Sequence, residues 1–458
     1  MGGFLGKDRK TCGLNVNPMN KRKPTISCAD WIIFWESGEN MYLIKIRSCA
    51  YQLKIFFSSL LLGSIVLVST SCASNKTKAA TIGEIPEKDL EKVSHENIIL
   101  GEKVSFFSKT LKESRSYLVH LPKTYNDGTI NPKKYPVVYI LDGEDHFSCA
   151  AGIVDFMGSA GVTNNYQIPE VIVIAIPNKE PAKDNRFRDF SPTKVRDYYE
   201  DSGGGIQFLK FLGDELIPHI ESKYRTVPLR ILAGHSMGGL LTTFDLLSSP
   251  SIFNAHIAMD PSLWWDSQLM ASIAQKLKGG AIHGSLYLST YGKAQRKEES
   301  REFVKMLANK NPASFRSNFQ VFEAERHSSL PLVSLYNGLL FVFGGFRPDL
   351  NSFVEHPSAI NEHFSKLSKL LGVEILAPED LIREVCSHTE KDIPDKAIEC
   401  YQVNVSNYPR SYNALNSLGQ IYAAKGMREQ AIDAYQRSLN LEPNNNSATA
   451  ELQKIPAK

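Results

Sequence analysis

The sequence predicts an α/β fold, in which a mostly parallel, doubly wound β-sheet is followed by a small α-helical domain of repeats. Two observations predict it. Apolar runs typical of buried strands alternate with helical segments between residues 99 and 345, and a pattern near the C-terminus recurs with a fixed period. At 458 residues, 42% hydrophobic and 22% charged, the chain is long enough for about two to three globular domains.

The N-terminal part of the chain precedes the predicted sheet. We interpret residues 1–40 as an upstream extension. We interpret residues 41–72 as a secretory signal, because basic residues in this segment precede an apolar core that is short for a membrane-spanning helix. The signal ends in a sequence that resembles a bacterial lipoprotein cleavage site, with Cys72 as the lipidated residue; an uncleaved signal anchor is the alternative. Residues 73–97 are polar and predict a linker. Both alternatives place the rest of the protein in the bacterial cell envelope or periplasm, held at a membrane or secreted.

Strands and helices alternate over residues 98–346. Apolar runs predict strands at 116–121, 135–141, 171–176, 231–233, 256–259, 285–289 and 319–322. Apolar residues at helical spacing predict helices at 206–224, 267–277 and 298–308. Continuous apolar strands are buried on both faces, so helices must cover both sides of the sheet, as in doubly wound α/β proteins.

A repeat marks the C-terminal part of the chain: Ala397, Tyr401 and Pro409 recur 34 residues later as Ala431, Tyr435 and Pro443. This period is typical of the tetratricopeptide (TPR) helix–turn–helix unit. Two copies are fewer than the about three that a repeat array needs, so we expect residues 378–458 to pack on a helix at 359–371, within a connector at 347–377. We expect the TPR segment to bind a peptide or protein partner.

Composition and charge exclude several classes of function. A net charge of +3 and the lack of a basic stripe with interleaved aromatic residues argue against binding to nucleic acid. The seven cysteines form no Cys-x-x-Cys pair and no Cys/His cluster with metal-ligand spacing, so we expect no structural zinc site. The chemistry described below implies no metal and no organic cofactor.

The sequence Gly234-His-Ser-Met-Gly238 carries the clearest chemical signal. It follows the apolar run 231–233 and precedes an apolar helix, which is the context of a nucleophile elbow, a strand-to-helix turn that exposes a serine hydroxyl. Such a turn needs glycines because β-carbons there would collide with neighbouring backbone. We therefore interpret Ser236 as the nucleophile. A surface serine at a glycine-rich strand end is the alternative.

A serine nucleophile needs a base, and His327 follows the last predicted strand, where this fold places it. That position brings the imidazole to the same edge of the sheet as the serine. We expect Glu298, after the next-to-last predicted strand, to orient the imidazole. Glu299, Asp260 and Asp266 are alternatives, and so is a serine–histidine dyad without a carboxylate.

The tetrahedral intermediate of acyl transfer carries a negative oxygen that needs two N–H donors. We expect the amides of Met237, next to the nucleophile, and of Glu144, after the strand at 135–141, to supply them. Gly143 permits the tight turn before Glu144. The loss of one such donor typically costs about 3 kcal/mol of transition-state stabilisation.

These motifs together resemble the esterase D group of α/β-hydrolases, which includes S-formylglutathione hydrolases, feruloyl-type esterases and ferric-siderophore esterases. The matching residues are 141–143, 188–192, 234–239, 261–265 and His327. The resemblance implies hydrolysis of an ester or thioester through an acyl-serine intermediate, with His327 as base and then acid. A TPR tail after such a hydrolase is similar to bacterial envelope esterases of this group.

The resemblance also implies a substrate site for a small-molecule ester. Trp264 and Trp265 are expected to line an acyl or aryl pocket, and Arg186 and Arg188 to meet an anionic substrate such as a catecholate. Core packing is the alternative role for the tryptophans, and solvent-exposed loop charge is the alternative for the arginines. Two other functions remain open: an acyltransferase with the same residues, and a non-catalytic, TPR-bearing envelope scaffold.

Overall fold

A computed structural model describes residues 31–36, 40–45, 94, 96–126, 133–158, 166–180, 183–195, 199–248, 250–312, 315–347 and 349–455. The chain divides into two units, residues 1–94 and 95–458. The first contains an antiparallel hairpin of β1 (Trp31–Glu36) and β2 (Asn40–Lys45). This hairpin spans the predicted boundary between the extension and the signal. Cys72 and most of the predicted signal and linker lie outside the described residues.

The second unit is built on an eight-stranded sheet with the strand order β12-β11-β10-β9-β5-β6-β4-β3. Its strands are β3 (Glu102–Ser108), β4 (Glu113–His120), β5 (Tyr135–Leu141), β6 (Ile172–Ile176), β9 (Thr226–His235), β10 (Ala255–Met259), β11 (Gly284–Tyr291) and β12 (Phe315–Phe322). The strands from β12 to β6 pair in parallel, while β4 and β3 are antiparallel to their neighbours. A short hairpin, β7 (Lys179–Glu180) and β8 (Lys183–Asp184), stands apart. The predicted mostly parallel sheet is confirmed.

Helices cover both faces of this sheet, as the continuous apolar strands predict. They are α1 (Gly143–Gly158), α2 (Arg186–Phe190), α3 (Gly205–Phe211), α4 (Ile217–Lys223), α5 (Met237–Leu247), α6 (Trp265–Lys276), α7 (Ala294–Lys310) and α8 (Leu330–Val342). Alternate residues of β5 enter two different cores: Val138 and Ile140 pack with α1 and α8, whereas Val137, Tyr139 and Leu141 pack with the helices of the other face. The doubly wound architecture is therefore confirmed.

The C-terminal region is helical, with α9 (Leu350–Glu355), α10 (Ala359–Leu371), α11 (Glu379–Asp392), α12 (Ala397–Asn407), α13 (Tyr412–Ala424), α14 (Arg428–Leu441) and α15 (Asn446–Lys454). The helix predicted at 359–371 is α10. An added β-carbon on Gly419 of α13 would lie 2.6 Å from the ring of Tyr435 on α14, which explains a small residue in that repeat. A disulfide joins Cys386 of α11 to Cys400 of α12. None of the described helices has the length and apolar content that a membrane span requires.

Three neighbouring parallel strands, β5, β9 and β10, end at the same edge of the sheet. The residue that follows each strand has a positive φ: 52° at Asp142, 59° at Ser236 and 43° at Asp260. Non-glycine residues adopt this conformation rarely, and the surrounding structure must sustain it. The fold thus turns the chain sharply at three adjacent points, all on the edge where parallel α/β sheets carry their sites.

Candidate active site

A tight turn between β9 and α5 presents Ser236 at the sheet edge. An added β-carbon on Gly234 would lie 2.3 Å from the carbonyl oxygen of Gly238, so the first glycine of the predicted elbow is required by close packing. The Ser236 N–H donates to the carbonyl of Met259 at 3.0 Å, which ties the turn to the end of β10. Its half-buried hydroxyl lies 3.4 Å from Oγ of Ser262.

His327 lies in the loop between β12 and α8, at the same edge of the sheet as the elbow. Its ring centroid is 4.4 Å from that of His235, the residue before Ser236, and 6.2 Å from that of Tyr291 at the end of β11. Its Nδ1 is 2.5 Å from Oδ2 of Asp260. Because Nδ1 is engaged by a carboxylate, Nε2 is the ring nitrogen left for chemistry, as in serine-hydrolase triads.

Asp260 is nearly inaccessible to solvent, and its carboxylate is held by three groups. Besides His327, Thr290 donates from Oγ1 to Oδ1 at 2.7 Å, and Arg296 donates from Nη1 to Oδ2 at 2.9 Å. Burial alone would raise the pKa of Asp260, but the hydrogen bonds from His327 and Thr290 and the charge of Arg296 outweigh burial and lower that pKa. The carboxylate is therefore ionised and fixed in position beside the imidazole.

The structure does not bring Glu298, the predicted orienting acid, to His327. Glu298 is exposed on α7, where its Oε2 accepts a hydrogen bond from Arg301 at 2.8 Å. Asp260, one of the alternatives weighed in the sequence, occupies the position instead. The physical reason is position in the chain: Asp260 directly follows β10, the strand next to β9, whereas Glu298 lies within α7 with its side chain on the exposed face.

The other two carboxylates considered in the sequence also lie away from the imidazole. Glu299 accepts a hydrogen bond from Gln295 at 3.0 Å along the exposed face of α7, and Asp266 is exposed near the start of α6. Sequence reasoning missed Thr290 and Arg296 as partners of the acid. Both lie in or just after β11, the part of the chain in which the sequence predicts the acid.

Two further histidines surround the elbow, and both are held neutral. Burial, with smaller contributions from the charges of His327, His146 and Arg186, lowers the pKa of His235 to about 3. Burial likewise lowers the pKa of His146 on α1, whose ring centroid is 6.1 Å from that of His235. Within the described ranges, no three His, Cys, Asp or Glu side chains are arranged to hold a metal ion.

The two amides predicted to bind an oxyanion lie in the first turns of neighbouring helices. Met237 is the first residue of α5, and Glu144 is the second residue of α1. In these first turns the N–H of Leu240 donates to the carbonyl of Ser236, and the N–H of Asp145 donates to the carbonyl of Asp142. N–H groups at such helix starts point outward and favour negative charge.

The two predicted tryptophans differ in exposure. Trp264 is 47% exposed, two residues after Ser262, whose hydroxyl contacts that of Ser236. Trp265 is buried, and its indole N–H donates to Oγ1 of Thr193 at 3.1 Å. Trp264 is therefore available to a substrate, whereas Trp265 has the core-packing role that the sequence left open.

The two predicted arginines are occupied by carboxylates of the chain. Arg188 donates from Nε to Asp189 at 2.7 Å and forms an ion pair with Glu113. Arg186 donates to Asp142 from two of its nitrogens, at 2.7 and 3.1 Å. Both guanidinium groups thus form ion pairs within the fold, so an anionic substrate would have to compete with these carboxylates for them.

Comparison with known protein families agrees with this architecture. Residues 108–312 match the family described as "Putative esterase", and residues 412–445 match the tetratricopeptide repeat. A crystal structure of an IroE-like serine hydrolase from Shewanella oneidensis superposes with a TM-score of 0.57 at 27% identity, covering 68% of this chain and 99% of that one. The resemblance to esterases, with a TPR segment after the hydrolase fold, is confirmed.

Two curated relatives are named as siderophore esterases. The ferri-bacillibactin esterase BesA of Bacillus subtilis is 28% identical over 273 residues, which are 55% of this chain and 93% of that protein. The siderophore triacetylfusarinine C esterase of Aspergillus fumigatus is 30% identical over 156 residues, which are 33% of this chain and 53% of that protein. The match to the first spans nearly its whole length, and the match to the second spans about half.

Proposed function

We propose that this carboxylic ester hydrolase works through Ser236 as nucleophile, His327 as general base and acid, and Asp260 as the carboxylate that orients the imidazole. The observation that carries the proposal is the 2.5 Å contact between Asp260 and Nδ1 of His327, beside the elbow that presents Ser236. A buried, ionised carboxylate on Nδ1 fixes the tautomer in which Nε2 can accept a proton.

The reaction has two stages, acylation of Ser236 and hydrolysis of the acyl-serine. The Ser236 hydroxyl passes its proton to Nε2 of His327 while Oγ bonds to the ester carbonyl carbon. The tetrahedral intermediate then collapses, the bond to the alcohol or thiol breaks, and His327 returns the proton to that leaving group. In the second stage water gives a proton to His327 as its oxygen bonds to the acyl carbon. The bond from that carbon to Oγ then breaks, the acid leaves, and His327 returns the proton to Oγ of Ser236.

The oxyanion of both intermediates would be bound by the amides of Met237 and Glu144. They lie at the starts of α5 and α1, and the start of α5 lies beside the turn before α1: an added β-carbon on Gly238 would lie 3.4 Å from both Oδ2 of Asp142 and Cβ of Leu141. Backbone N–H groups fixed at helix starts would stabilise a developing negative oxygen without reorganising in the reaction.

The substrates that we infer are aryl or siderophore esters, or thioesters. The names of the two curated relatives support the siderophore class, since both are described as esterases of siderophores. The exposed indole of Trp264 near the elbow supports an aromatic group next to the scissile bond, because aromatic faces pack on one another with favourable energy.

The test is an esterase assay with p-nitrophenyl esters, then with a panel of acyl, aryl and siderophore esters. We expect Ser236→Ala and His327→Ala each to lose about 10³-fold or more in kcat, since the triad acts as a unit. A fluorophosphonate probe should label the wild type on Ser236 and leave Ser236→Ala unlabelled. Equal slow hydrolysis by wild type and Ser236→Ala would contradict the serine mechanism.

We also propose a location in the bacterial cell envelope, with residues 41–72 as the signal, Cys72 as the membrane anchor and the TPR segment facing a protein partner. The Cys386–Cys400 disulfide supports this, because disulfides persist mainly outside the reducing cytoplasm. Mass spectrometry of the mature protein from its native membrane tests the proposal. We expect an N-terminus at a lipid-modified Cys72, and a mature chain that retains residues 1–40 would contradict it.

A further inference from the structure

The guanidinium of Arg186 joins the two turns that flank the proposed oxyanion site. Its Nε donates to Oδ1 of Asp142 at 2.7 Å, and its Nη2 donates both to Oδ2 of Asp142 at 3.1 Å and to the backbone carbonyl of His235 at 3.0 Å. Asp142 comes directly before Gly143 and Glu144 at the start of α1, and His235 comes directly before Ser236. One side chain therefore contacts both turns: the carboxylate of Asp142 before α1 and the backbone carbonyl just before Ser236.

Both of these turns need an external constraint. Asp142 has a φ of 52° and Ser236 a φ of 59°, a conformation that residues with side chains avoid unless neighbouring groups enforce it. The start of α1 is also packed tightly, since an added β-carbon on Gly143 would lie 2.6 Å from the backbone nitrogen of Ile176. We therefore expect a small displacement of Asp142 to move the Glu144 amide as well, because the tightly packed turn leaves no room for the backbone between them to adjust.

The ion pair is shielded enough to act as a rigid link. The side chain of Arg186 is 17% exposed and that of Asp142 is 5% exposed. A two-point contact between guanidinium and carboxylate adds directional specificity to its charge attraction. Loss of one partner of a shielded pair leaves the other charge uncompensated, so the geometry depends on both.

The short helix that carries Arg186 is itself anchored in the protein interior. Asp189, one turn later in α2, is buried and accepts hydrogen bonds from Arg115 at 2.7 Å, from Asn178 at 2.9 Å and from Arg188 at 2.7 Å. These three donors come from β4, from the end of β6 and from α2. The helix that carries Arg186 is thus fixed to the sheet, so Arg186 can hold the two turns in fixed positions.

We propose that Arg186 is a positioning residue that sets the spacing of the Glu144 and Met237 amides. This role differs from the binding of an anionic substrate that the resemblance implies for Arg186. The inference rests on the serine mechanism proposed above. It has a specific consequence: Arg186 acts on the tetrahedral state, in which the oxyanion exists, and not on the bound ester.

The experiment compares kcat, KM and the affinity for an arylboronic acid, which adds to a serine hydroxyl to form a tetrahedral adduct with a boron-bound oxygen in the oxyanion position. We expect Arg186→Met to lower kcat and boronate affinity together by about 10- to 100-fold, while KM stays within about threefold, because small misplacements of preorganised donors have effects of this size. Arg186→Lys, which keeps the charge but not the two-point geometry, should lie between Arg186→Met and wild type.

The matched control is Arg230→Met, which removes an arginine of β9, five residues before His235, that contacts Glu221 through Nε at 2.8 Å. It should leave all three quantities close to wild type. If Arg186→Met fails to fold by circular dichroism, Asp142→Asn weakens the same link from the other side and should give the same separation of kcat from KM. Unchanged boronate affinity in a folded Arg186 or Asp142 variant would overturn the proposal.

The Ser236→Ala variant separates this proposal from the mechanism on which it rests. If Ser236→Ala still binds the boronate and hydrolyses esters like the wild type, the serine mechanism fails, whatever the Arg186 variants do. If Ser236→Ala is inactive and the Arg186 variants alter KM alone, the mechanism stands and the positioning role is wrong.

Discussion

The role of Asp260 gives a direct test at the scale of single residues. Asparagine has nearly the same shape but presents an amide that favours the wrong tautomer of His327, so we expect Asp260→Asn to lower kcat by about 10²- to 10⁴-fold. Glu298→Gln is the matched control, because Glu298 is exposed and paired with Arg301. It should stay within about twofold of wild type in the p-nitrophenyl ester assay. A large loss in Glu298→Gln with an active Asp260→Asn would restore the acid predicted from the sequence.

Arg296 is expected to hold the Asp260 carboxylate in place beside His327. It donates from Nη1 to Oδ2 of Asp260, the oxygen that also contacts Nδ1 of His327, and its charge helps to lower the pKa of Asp260. Without the guanidinium, this buried carboxylate loses one of its three partners. We expect Arg296→Met to lower kcat by about tenfold, because a displaced carboxylate orients the imidazole less well.

Lys297→Met is the control for Arg296→Met, because Lys297 also lies on α7 but is paired with Glu323 on the surface. It should leave kcat close to wild type in the p-nitrophenyl ester assay. An unchanged kcat in Arg296→Met, or an equal loss in Lys297→Met, would contradict the prediction.

The sequence predicts that Ser236 and His327 lie at one edge of the sheet, where the structure has them, but it favours Glu298 over Asp260 as the acid. The spacing of glycines predicts the exposed turn at Ser236, and chain order predicts the position of His327, because both depend on local structure and strand succession. The choice between the two acids depends on which carboxylate is buried at the edge of the assembled sheet, and strand succession does not show that. Asp260 and Glu298 are equally polar in the sequence, and only the packing around Thr290 separates a buried carboxylate from an exposed one.

Among the strands, the degree of burial decides which ones can be predicted from the sequence. The β5 and β6 runs are buried along their whole length, so their continuous apolar pattern was readable. The edge strand β3 alternates exposed and partly buried residues, with Phe107 62% exposed, and was missed. The positive φ values at Asp142 and Asp260 were also unpredicted, since neither residue is a glycine.

His120 at the end of β4 ties that strand to α1 and to the segment before β3. Its Nε2 lies 2.9 Å from Asp155 and its Nδ1 lies 2.7 Å from the carbonyl of Leu100. Burial alone would lower the pKa of His120, but the Asp155 carboxylate and the Leu100 carbonyl outweigh it and raise the pKa above 6.5. The protonated form is therefore favoured by folding, and its stabilisation is complete below the unfolded pKa and lost as pH rises through the folded one.

We expect His120→Gln to lower the free energy of unfolding by about 1–2 kcal/mol near pH 5.5 and by less near pH 8.5. Urea unfolding of both proteins at the two pH values measures the difference. His388→Gln, at an exposed position on α11, should show no such pH dependence. A destabilisation that is equal at both pH values would mean that His120 acts through packing rather than through its charge.

At the scale of the whole molecule, the helical region shares its interior with the sheet. One apolar core extends from Ile257 of β10 through Phe343 and Phe346, after α8, to Phe364 of α10 and Tyr408, after α12. The sequence marks these residues as apolar but not as partners, because periodicity shows which side of a helix is buried and not what buries it. The second TPR copy has a separate small core around Tyr435.

The two cores predict different consequences for two substitutions of fully buried aromatic residues. Phe346 is 1% exposed and packs edge-on against Phe364, with ring centroids 5.6 Å apart, inside the core that also supports the sheet. We expect Phe346→Ala to destabilise the esterase fold by about 3–5 kcal/mol and to lower the temperature at which hydrolysis is lost. Tyr435 is also fully buried, but in the part of the chain that the structure describes its apolar cluster joins α13, α14 and α15. Tyr435→Ala should therefore unfold that repeat first, while hydrolysis persists to nearly the wild-type temperature.

Heating experiments that follow both hydrolysis and circular dichroism distinguish the two variants. If Tyr435→Ala lowers the inactivation temperature as far as Phe346→Ala does, the helices unfold with the sheet as one cooperative unit, and the C-terminal core does not unfold separately from the esterase fold.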